Sequence, residues 1–255
     1  MVTVRPMAIT RDLSEMNQVP PEAVCRTRVF GKCGESMENN NYTLVNGTKF
    51  YVRRKPVYET IKRIFDIVAA VLFIAVFFWV FLLVAAANKI DDRGPVFYVS
   101  TRVGRFGKEF RFYKFRSMKV NADELLDDIR HLNETEGQLF KMKNDPRVTR
   151  VGRFLRRTSL DELPQIFNII KGDISFVGPR SPLPEEVKNY TDYSMQRLSV
   201  IGGLTCYWQI SGRSDIDFNG MVKLDCKYIE ERSILTDLKI LFLTLPAVIK
   251  GDGAY

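Results

Sequence analysis

The chain has 255 residues, 45% of them apolar, and a formal net charge of +8 from 38 basic and 30 acidic side chains. This composition fits one ordinary domain with additions. The basic balance favours nucleic acid, anionic lipid or phosphorylated substrates without choosing among them. The single histidine, His131, lies in a charged stretch, which argues against Ser–His–Asp and Cys–His catalysis. The four cysteines show no CxxC spacing, which argues against a zinc or disulfide scaffold.

The N-terminal extension, residues 1–60, is polar and irregular, and we assign it no role. Asn46-Gly47 stands between two short apolar runs, a pattern that predicts a hairpin turn. The start of the chain lacks an apolar stretch, so no secretory signal peptide is expected there.

Residues 67–87 are apolar throughout and are bracketed by charged side chains. About 20 such residues suffice to cross a bilayer as a helix, and the lack of a polar face argues against a buried helix of a soluble domain. We therefore predict a membrane-embedded helix within residues 61–90. Both flanks are basic, so both ends favour the cytosol, which predicts a reentrant helix that enters and returns.

The remaining residues, 91–255, have the pattern of a mixed, helix-rich α/β domain. Strands are predicted at 95–100 and 110–115, and helices at 121–131, 147–157, 163–171 and 234–249. Gly172 should end the third of these helices. The last helix is apolar with few charges, which fits either an amphipathic helix in the membrane interface or a plain core helix.

Two adjacent carboxylates, Asp161 and Glu162, stand close to Pro164. Proline is tolerated in the first turn of a helix, so a helix should begin near Asp161. A helix N-terminus keeps a carboxylate ionised and favours an incoming phosphate, so Asp161 could act as a covalent nucleophile. The two anions would repel each other unless arginines or a divalent cation screen them. The alternative is that Ser159 and Glu162 form a capping box, which would make both acids structural.

Basic and glycine-rich patterns surround this pair. Arginines at every third position over residues 147–156 lie near one side of a helix, where they could bind phosphates or anionic headgroups, or face solvent. The Gly178-Pro179 loop exposes its backbone, and Arg180 after it could bind phosphate in a bidentate manner. Trp208, Gln209 and Arg213 follow a glycine pair and could contact a nucleotide base or a sugar. No P-loop and no GxGxxG pattern occurs.

These segments, in this order, resemble the bacterial sugar transferase family, the monotopic phosphoglycosyl transferases. The resemblance covers about residues 62–250 and rests on KRIFD at 62–66, GPVF at 94–97, YKFRSM at 113–118, DPR at 145–147, RRTSLDELPQ at 156–165, NIIKGDISFVGPR at 168–180, GLT at 203–205, QISGR at 209–213 and LD at 224–225. Two segments depart from the family pattern. Phe78-Trp79 stands where members often carry a Ser-Pro break in the membrane helix, and Cys206-Tyr207 stands where a glycine is more usual.

The resemblance implies transfer of a sugar 1-phosphate from a UDP-sugar to polyprenyl (undecaprenyl) phosphate, with release of UMP. It implies that Asp161 is the nucleophile of a phosphosugar-aspartyl intermediate and that Glu162, together with Asp161, binds Mg²⁺. It further implies substrate-binding roles for Lys114, Arg156, Arg180, Gln209, Arg213 and Asp225. The reaction would be the first membrane step of polysaccharide or glycan assembly, at the cytoplasmic face of the bacterial inner membrane.

Two other functions are weighed against this one. An inactive scaffold of a glycan assembly complex would not need the intact Asp161-Glu162 pair. A nucleic-acid-binding protein would not need the membrane helix, so we expect no nucleic-acid partner. Anionic membrane lipids are expected partners because the chain is basic. The sequence leaves open which sugar is used, which glycan pathway is served and whether the protein forms a homo-oligomer.

Overall fold

A computed structural model describes residues 42–45, 47–122, 124–129, 142, 145–211 and 216–250. The fold is mixed and helix-rich, as predicted. The strands are β1 (Tyr42–Val45), β2 (Thr48–Tyr51), β3 (Phe97–Val103), β4 (Glu109–Phe115), β5 (Ile174–Val177) and β6 (Gly202–Thr205). The helices are α1 (Pro56–Asp91), α2 (Glu124–Ile129), α3 (Arg150–Arg157), α4 (Gln165–Lys171), α5 (Pro184–Val187), α6 (Asp192–Met195), α7 (Tyr207–Ile210), α8 (Phe218–Glu231) and α9 (Ile234–Lys250). His131 and the first 41 residues lie outside the described residues.

Strands β1 and β2 form an antiparallel hairpin whose turn contains Gly47 with φ of 80°. This confirms the predicted hairpin, although Asn46 itself lies outside the described residues. Phe50 on β2 is 1% exposed and packs with Val103 and Leu198. The hairpin is therefore part of the folded domain, and the description of residues 1–60 as irregular is wrong for this portion.

Strands β3 and β4 form the second antiparallel pair, as predicted, with a short 3₁₀ turn at Arg105–Gly107 between them. Lys114 lies opposite Tyr98, and Arg102 lies opposite Phe110. The phenyl rings of Phe97 and Phe115 stack with centroids 5.4 Å apart. This ribbon holds Arg102 and Lys114 on one rigid element.

Helix α4 and the parallel pair β5–β6 form the centre of the domain. Gly172, with φ of 89°, ends α4 as predicted. Gly203 on β6 packs so closely on the loop after β5 that a Cβ atom there would lie 2.0 Å from the Gly178 nitrogen. Gly178 and Pro179 are consequently buried, so the expectation of an exposed Gly-Pro loop is wrong.

Helix α1 is continuous over 36 residues, or about 54 Å at 1.5 Å per residue. It passes through Phe78 and Trp79 without a break, as expected where no proline interrupts the helix. Only 11% of its most apolar stretch is buried, and Trp79 is 56% exposed. The fully buried positions Asp66, Ala70, Val84 and Asn88 recur at helical spacing, so a single face of α1 packs on the domain.

Both ends of α1 are held by the same domain. Near its start, Lys62 Nζ lies 2.7 Å from an Asp237 carboxylate oxygen, and Asp66 accepts a 3.0 Å hydrogen bond from Ser175 Oγ. Near its end, Asn88 Nδ2 donates to the Arg116 carbonyl at 3.0 Å, and Asp92 just beyond the helix pairs with the Arg116 guanidinium at 2.6 Å. The contacts thus span the whole apolar segment.

The four arginines predicted to share one helix face are divided in the structure. Arg147 precedes α3, is 6% exposed and binds both carboxylate oxygens of Asp145. Arg156 turns inward, and Arg150 and Arg153 remain exposed. The split follows from the start of α3 at Arg150, where the Thr149 side chain caps the helix, so that Arg147 falls outside its periodicity.

Helix α9 packs on the core along one face, as the core-helix alternative predicted, and the interfacial alternative stays a prediction. Ile240 is fully buried among Leu224 and Tyr228 of α8, whereas Leu235 is 79% and Phe242 is 70% exposed. One face therefore belongs to the core and the opposite face is an exposed apolar surface.

Candidate active site

Asp161 and Glu162 lie in a 3₁₀ turn, Leu160–Glu162, between α3 and α4. The α-helix begins only at Gln165, so the predicted start near Asp161 is early by one turn. Ser159 adopts a left-handed conformation with φ of 55°, which breaks the chain direction and is uncommon outside glycine. Its side chain makes no capping hydrogen bond, so the capping-box alternative is wrong. The two carboxylates are left for other partners.

Among the described residues, Lys114 at the end of β4 is the cation nearest to both acids. Its Nζ donates a 2.8 Å hydrogen bond to Glu162 Oε1 and lies 3.8 Å from Asp161 Oδ2. Burial raises the pKa of Glu162, but the ammonium of Lys114 and the guanidinium groups of Arg180 and Arg102 outweigh burial and hold that pKa below its usual value. The carboxylate of Glu162 is therefore stabilised in its ionised form.

The pKa of Asp161 is shifted in the opposite direction. The residue is 8% exposed, and this burial, with the adjacent Glu162 carboxylate, raises its pKa above the usual value in spite of Lys114 and Arg156. A carboxylate with a raised pKa is more basic and hence a better nucleophile once ionised. Neighbouring residues with pKa values pushed in opposite directions are typical of reaction centres.

Three arginines surround the acids. Arg156 donates a 2.9 Å hydrogen bond from Nε to Ser117 Oγ and exerts an attractive field on Asp161. Arg180 follows the buried Gly-Pro loop and attracts the Glu162 carboxylate. Arg102 was not among the predicted ligands, because the register of β3 and not local sequence brings it here. Its Nε is buried without a hydrogen-bond partner among the described residues, a donor well suited to an anionic ligand.

Of the remaining residues predicted to bind substrate, two contact other residues of the chain and one lies outside the described residues. Asp225 is 1% exposed and forms a 2.6 Å ion pair with the buried Arg197. Gln209 Oε1 accepts a 3.1 Å hydrogen bond from the Cys206 amide at the start of α7. Arg213 lies outside the described residues. The substrate-binding roles of these three residues stay predictions.

A family model described as Bacterial sugar transferase matches residues 57–251, about three quarters of the chain and all of this site. The chain belongs to the bacterial sugar transferase family. The matched region runs from α1 to α9 and includes every segment that meets at Asp161.

Curated relatives carry names from glycan assembly. The chain is 46% identical over 213 residues to galactosyl transferase CpsE of Streptococcus agalactiae, covering 81% of this chain and 45% of that protein. It is 44% identical over 200 residues to undecaprenyl-phosphate galactose phosphotransferase of Salmonella typhimurium, covering 76% of this chain and 42% of that protein. It is 41% identical over 205 residues to exopolysaccharide production protein ExoY of Rhizobium meliloti, covering 79% of this chain and 91% of that protein. The chain thus spans less than half of the first two relatives and most of the third.

The residues of this site fit a magnesium ion that is held together with substrate phosphates. Among the described residues, no three His, Cys, Asp or Glu side chains form a cluster that could hold a metal alone. Asp161 and Glu162 supply two hard oxygen donors side by side. Magnesium in phosphoryl-transfer enzymes is usually held by one or two carboxylates plus substrate phosphates. The residues present therefore fit a metal that arrives with a diphosphate.

Proposed function

We propose that this chain transfers a sugar 1-phosphate from a UDP-sugar to undecaprenyl phosphate and releases UMP, as the first membrane step of bacterial polysaccharide or glycan assembly. The observation that carries the proposal is the buried Asp161 carboxylate, 3.8 Å from the Lys114 ammonium, in a member of the sugar transferase family. The names of the relatives support the lipid carrier and the phosphotransferase reaction.

In the first half-reaction, an Asp161 carboxylate oxygen attacks the β-phosphorus of the UDP-sugar. An acyl-phosphate bond forms between Asp161 and the sugar phosphate, and the bond from the β-phosphorus to the bridging oxygen breaks. UMP leaves with that oxygen and its electron pair. Phosphoryl transfer of this kind depends mainly on positioning and on neutralising charge, which the site provides.

In the second half-reaction, a phosphate oxygen of undecaprenyl phosphate attacks the same phosphorus. A diphosphate bond forms, the acyl-phosphate bond breaks, and Asp161 is restored as a carboxylate. Both nucleophiles are already anionic and both leaving groups are stable anions, so no general base is needed. This suits a site whose described residues include no histidine.

The cationic side chains have separate roles in binding the acids and the phosphates. Lys114 holds Glu162 in place and lowers the cost of an ionised Asp161. Arg156, fixed by Ser117, lies on the Asp161 side and would bind oxygens of the transferred phosphate. Arg102 and Arg180 lie on the Glu162 side and would bind the departing UMP phosphate. Glu162 and Asp161 would hold Mg²⁺, which supplies further charge neutralisation when bound.

We further propose that the protein lies on the cytoplasmic face of the inner membrane with both ends of α1 on the side of the domain. The support is that Lys62 and Asp66 near one end, and Asn88 near the other, all contact that domain. An unbroken helix held along one face cannot bend back on itself as a reentrant hairpin. It keeps the predicted same-side topology by lying along the membrane surface, with its exposed apolar face in the lipid.

The reaction is tested by measuring UMP release from a panel of UDP-sugars. The protein is prepared in detergent with magnesium and undecaprenyl phosphate, and Asp161→Asn is assayed beside it. We expect release that depends on the lipid, occurs with one or a few donors and is lost in the variant. Folded wild-type protein that released no UMP across a broad panel would support the scaffold alternative instead.

A further inference from the structure

A basic cavity whose lining includes neither Asp161 nor Glu162 lies where the C-terminal end of α1 meets the start of α3. Its volume is about 590 Å³, and its charged lining consists of Asp91, Asp92, Lys119, Arg150 and Arg153. None of these residues takes part in the proposed reaction. The cavity is large enough for a charged headgroup and is open to solvent.

The acids of this cavity are already engaged, but its cations are not. Asp91 accepts a 2.9 Å hydrogen bond from the Val151 amide, and Asp92 pairs with Arg116 at 2.6 Å. The side chains of Lys119, Arg150 and Arg153 have no hydrogen bond or ion pair within the described part of the chain. Three unpaired cations around one concave surface favour an anion with several oxygens.

An exposed apolar side chain lines the same cavity, and two more are the chain neighbours of lining residues. Val120 lines it and is 65% exposed. Ile90, directly before Asp91, is 85% exposed, and Phe154, directly after Arg153, is 60% exposed. Cations beside exposed apolar groups match a ligand that has a charged head and a hydrocarbon tail. Free phosphate would gain nothing from the apolar border.

We propose that this cavity binds the phosphate headgroup of an anionic phospholipid, at a site separate from the one that binds the acceptor lipid. Arg150 and Arg153 serve the cavity, whereas Arg156, one turn further along α3, is fixed by Ser117 beside Asp161. The bound lipid would anchor the C-terminal end of α1 and set the orientation of α3 relative to the membrane. The site rests on the proposed membrane location and not on the proposed chemistry.

The test compares two double variants that each remove two positive charges from exposed positions. The cavity variant replaces both arginines of the cavity and carries Arg150→Gln and Arg153→Gln. The matched control carries Arg157→Gln and Lys188→Gln. Full-length proteins are floated with vesicles of phosphatidylcholine alone or mixed with phosphatidylglycerol. Each cation near an anionic surface contributes about fivefold to binding, so the cavity variant should lose roughly 30-fold in its preference for phosphatidylglycerol. The control should lose less than threefold.

Two further measurements complete the test. Native mass spectrometry should detect bound phosphatidylglycerol on the wild type and on the control. It should detect fewer bound phosphatidylglycerol molecules on the cavity variant. Thermal unfolding of all three proteins shows whether they are equally folded. Equal losses in both double variants would overturn the site in favour of diffuse charge attraction. The same flotation is repeated with inorganic phosphate added as a competitor. If phosphate abolished the preference of the wild type for phosphatidylglycerol, the cavity would bind free phosphate, and the lipid proposal would be overturned. Because neither readout needs turnover, an inactive protein would still test this proposal.

Discussion

Lys114 and Glu162 are joined by a 2.8 Å hydrogen bond from Nζ to Oε1, although 48 residues separate them in the chain. The bond ties the end of β4 to the 3₁₀ turn that carries Asp161. Because Glu162 takes the shorter contact, Lys114 is left 3.8 Å from Asp161, near enough to favour its charge without a direct hydrogen bond. The Asp161 carboxylate thus remains available to a substrate, as the proposed nucleophilic role requires.

The two neighbours of Asp161 should move its titration in opposite directions. The Lys114 ammonium lowers the pKa of Asp161 and the Glu162 carboxylate raises it. In the proposed reaction only ionised Asp161 attacks, so activity should fall as pH drops through its pKa. Lys114→Met should therefore move the acid limb of kcat/KM to higher pH, and Glu162→Gln should move it to lower pH. The measurement is a pH profile of UMP release at saturating magnesium. Shifts of both variants in the same direction would show that the limb belongs to another group.

Arg156→Lys should reduce activity while keeping the charge. The Nε atom of Arg156 is held by Ser117 at 2.9 Å, and a lysine cannot keep that bond and also bind phosphate in a bidentate manner. Loss of one charge-assisted hydrogen bond, worth about 1.5–3 kcal/mol, predicts a fall of roughly 10-fold to 100-fold in kcat/KM. Arg157→Lys, at an exposed position on the same helix, should stay within about twofold of wild type, because lysine keeps both its charge and its helix propensity. Equal effects of the two variants would count against a phosphate contact by Arg156.

Asp225→Asn separates a structural role from a substrate contact. The change leaves the Arg197 guanidinium, 2% exposed, without its partner carboxylate. Breaking a buried ion pair costs about 3–5 kcal/mol, which for a domain of this size lowers Tm by about 6–20 °C. Asp192→Asn on the surface should change Tm little. A Tm close to wild type together with lost turnover would instead support the predicted substrate-binding role.

The depth of Trp79 tests how α1 sits in the membrane. The chain has two tryptophans, so Trp208→Phe leaves Trp79 as the only one. If α1 lies along the surface, lipids brominated near the headgroup should quench its fluorescence more than lipids brominated near the bilayer centre. A cysteine placed at Ile90 should also be shielded from periplasmic thiol reagents in intact cells. Strongest quenching from the bilayer centre would mean that the helix enters the membrane core.

Local patterns predicted the elements well because their causes are local. The hairpin at Gly47, the end of α4 at Gly172 and the length of α1 follow from turn chemistry, helix capping and apolar run length. The start of α4 was placed too early because Ser159 adopts a left-handed conformation that no sequence pattern marks. The shared arginine face failed because Arg147 finds Asp145 before the helix begins.

Most residues of the site could be predicted from the sequence, but their arrangement in space could not. The resemblance named Asp161, Glu162, Lys114, Arg156 and Arg180, and the structure brings these five into one electrostatic cluster. Arg102 could not be found in this way, since its place depends on the register of β3 against β4. The fully buried position of Asp225 depends on Arg197, which no motif had singled out.

The covalent role of Asp161 is tested most directly by mixing enzyme and its UDP-sugar with magnesium but without any acceptor lipid. We expect a single burst of about one UMP per enzyme, with the sugar phosphate attached to the protein, and no burst from Asp161→Asn. Undecaprenyl phosphate added afterwards should remove the label from the wild-type protein. Release of UMP only when donor and acceptor are present together, with no label on the protein, would contradict an aspartyl intermediate.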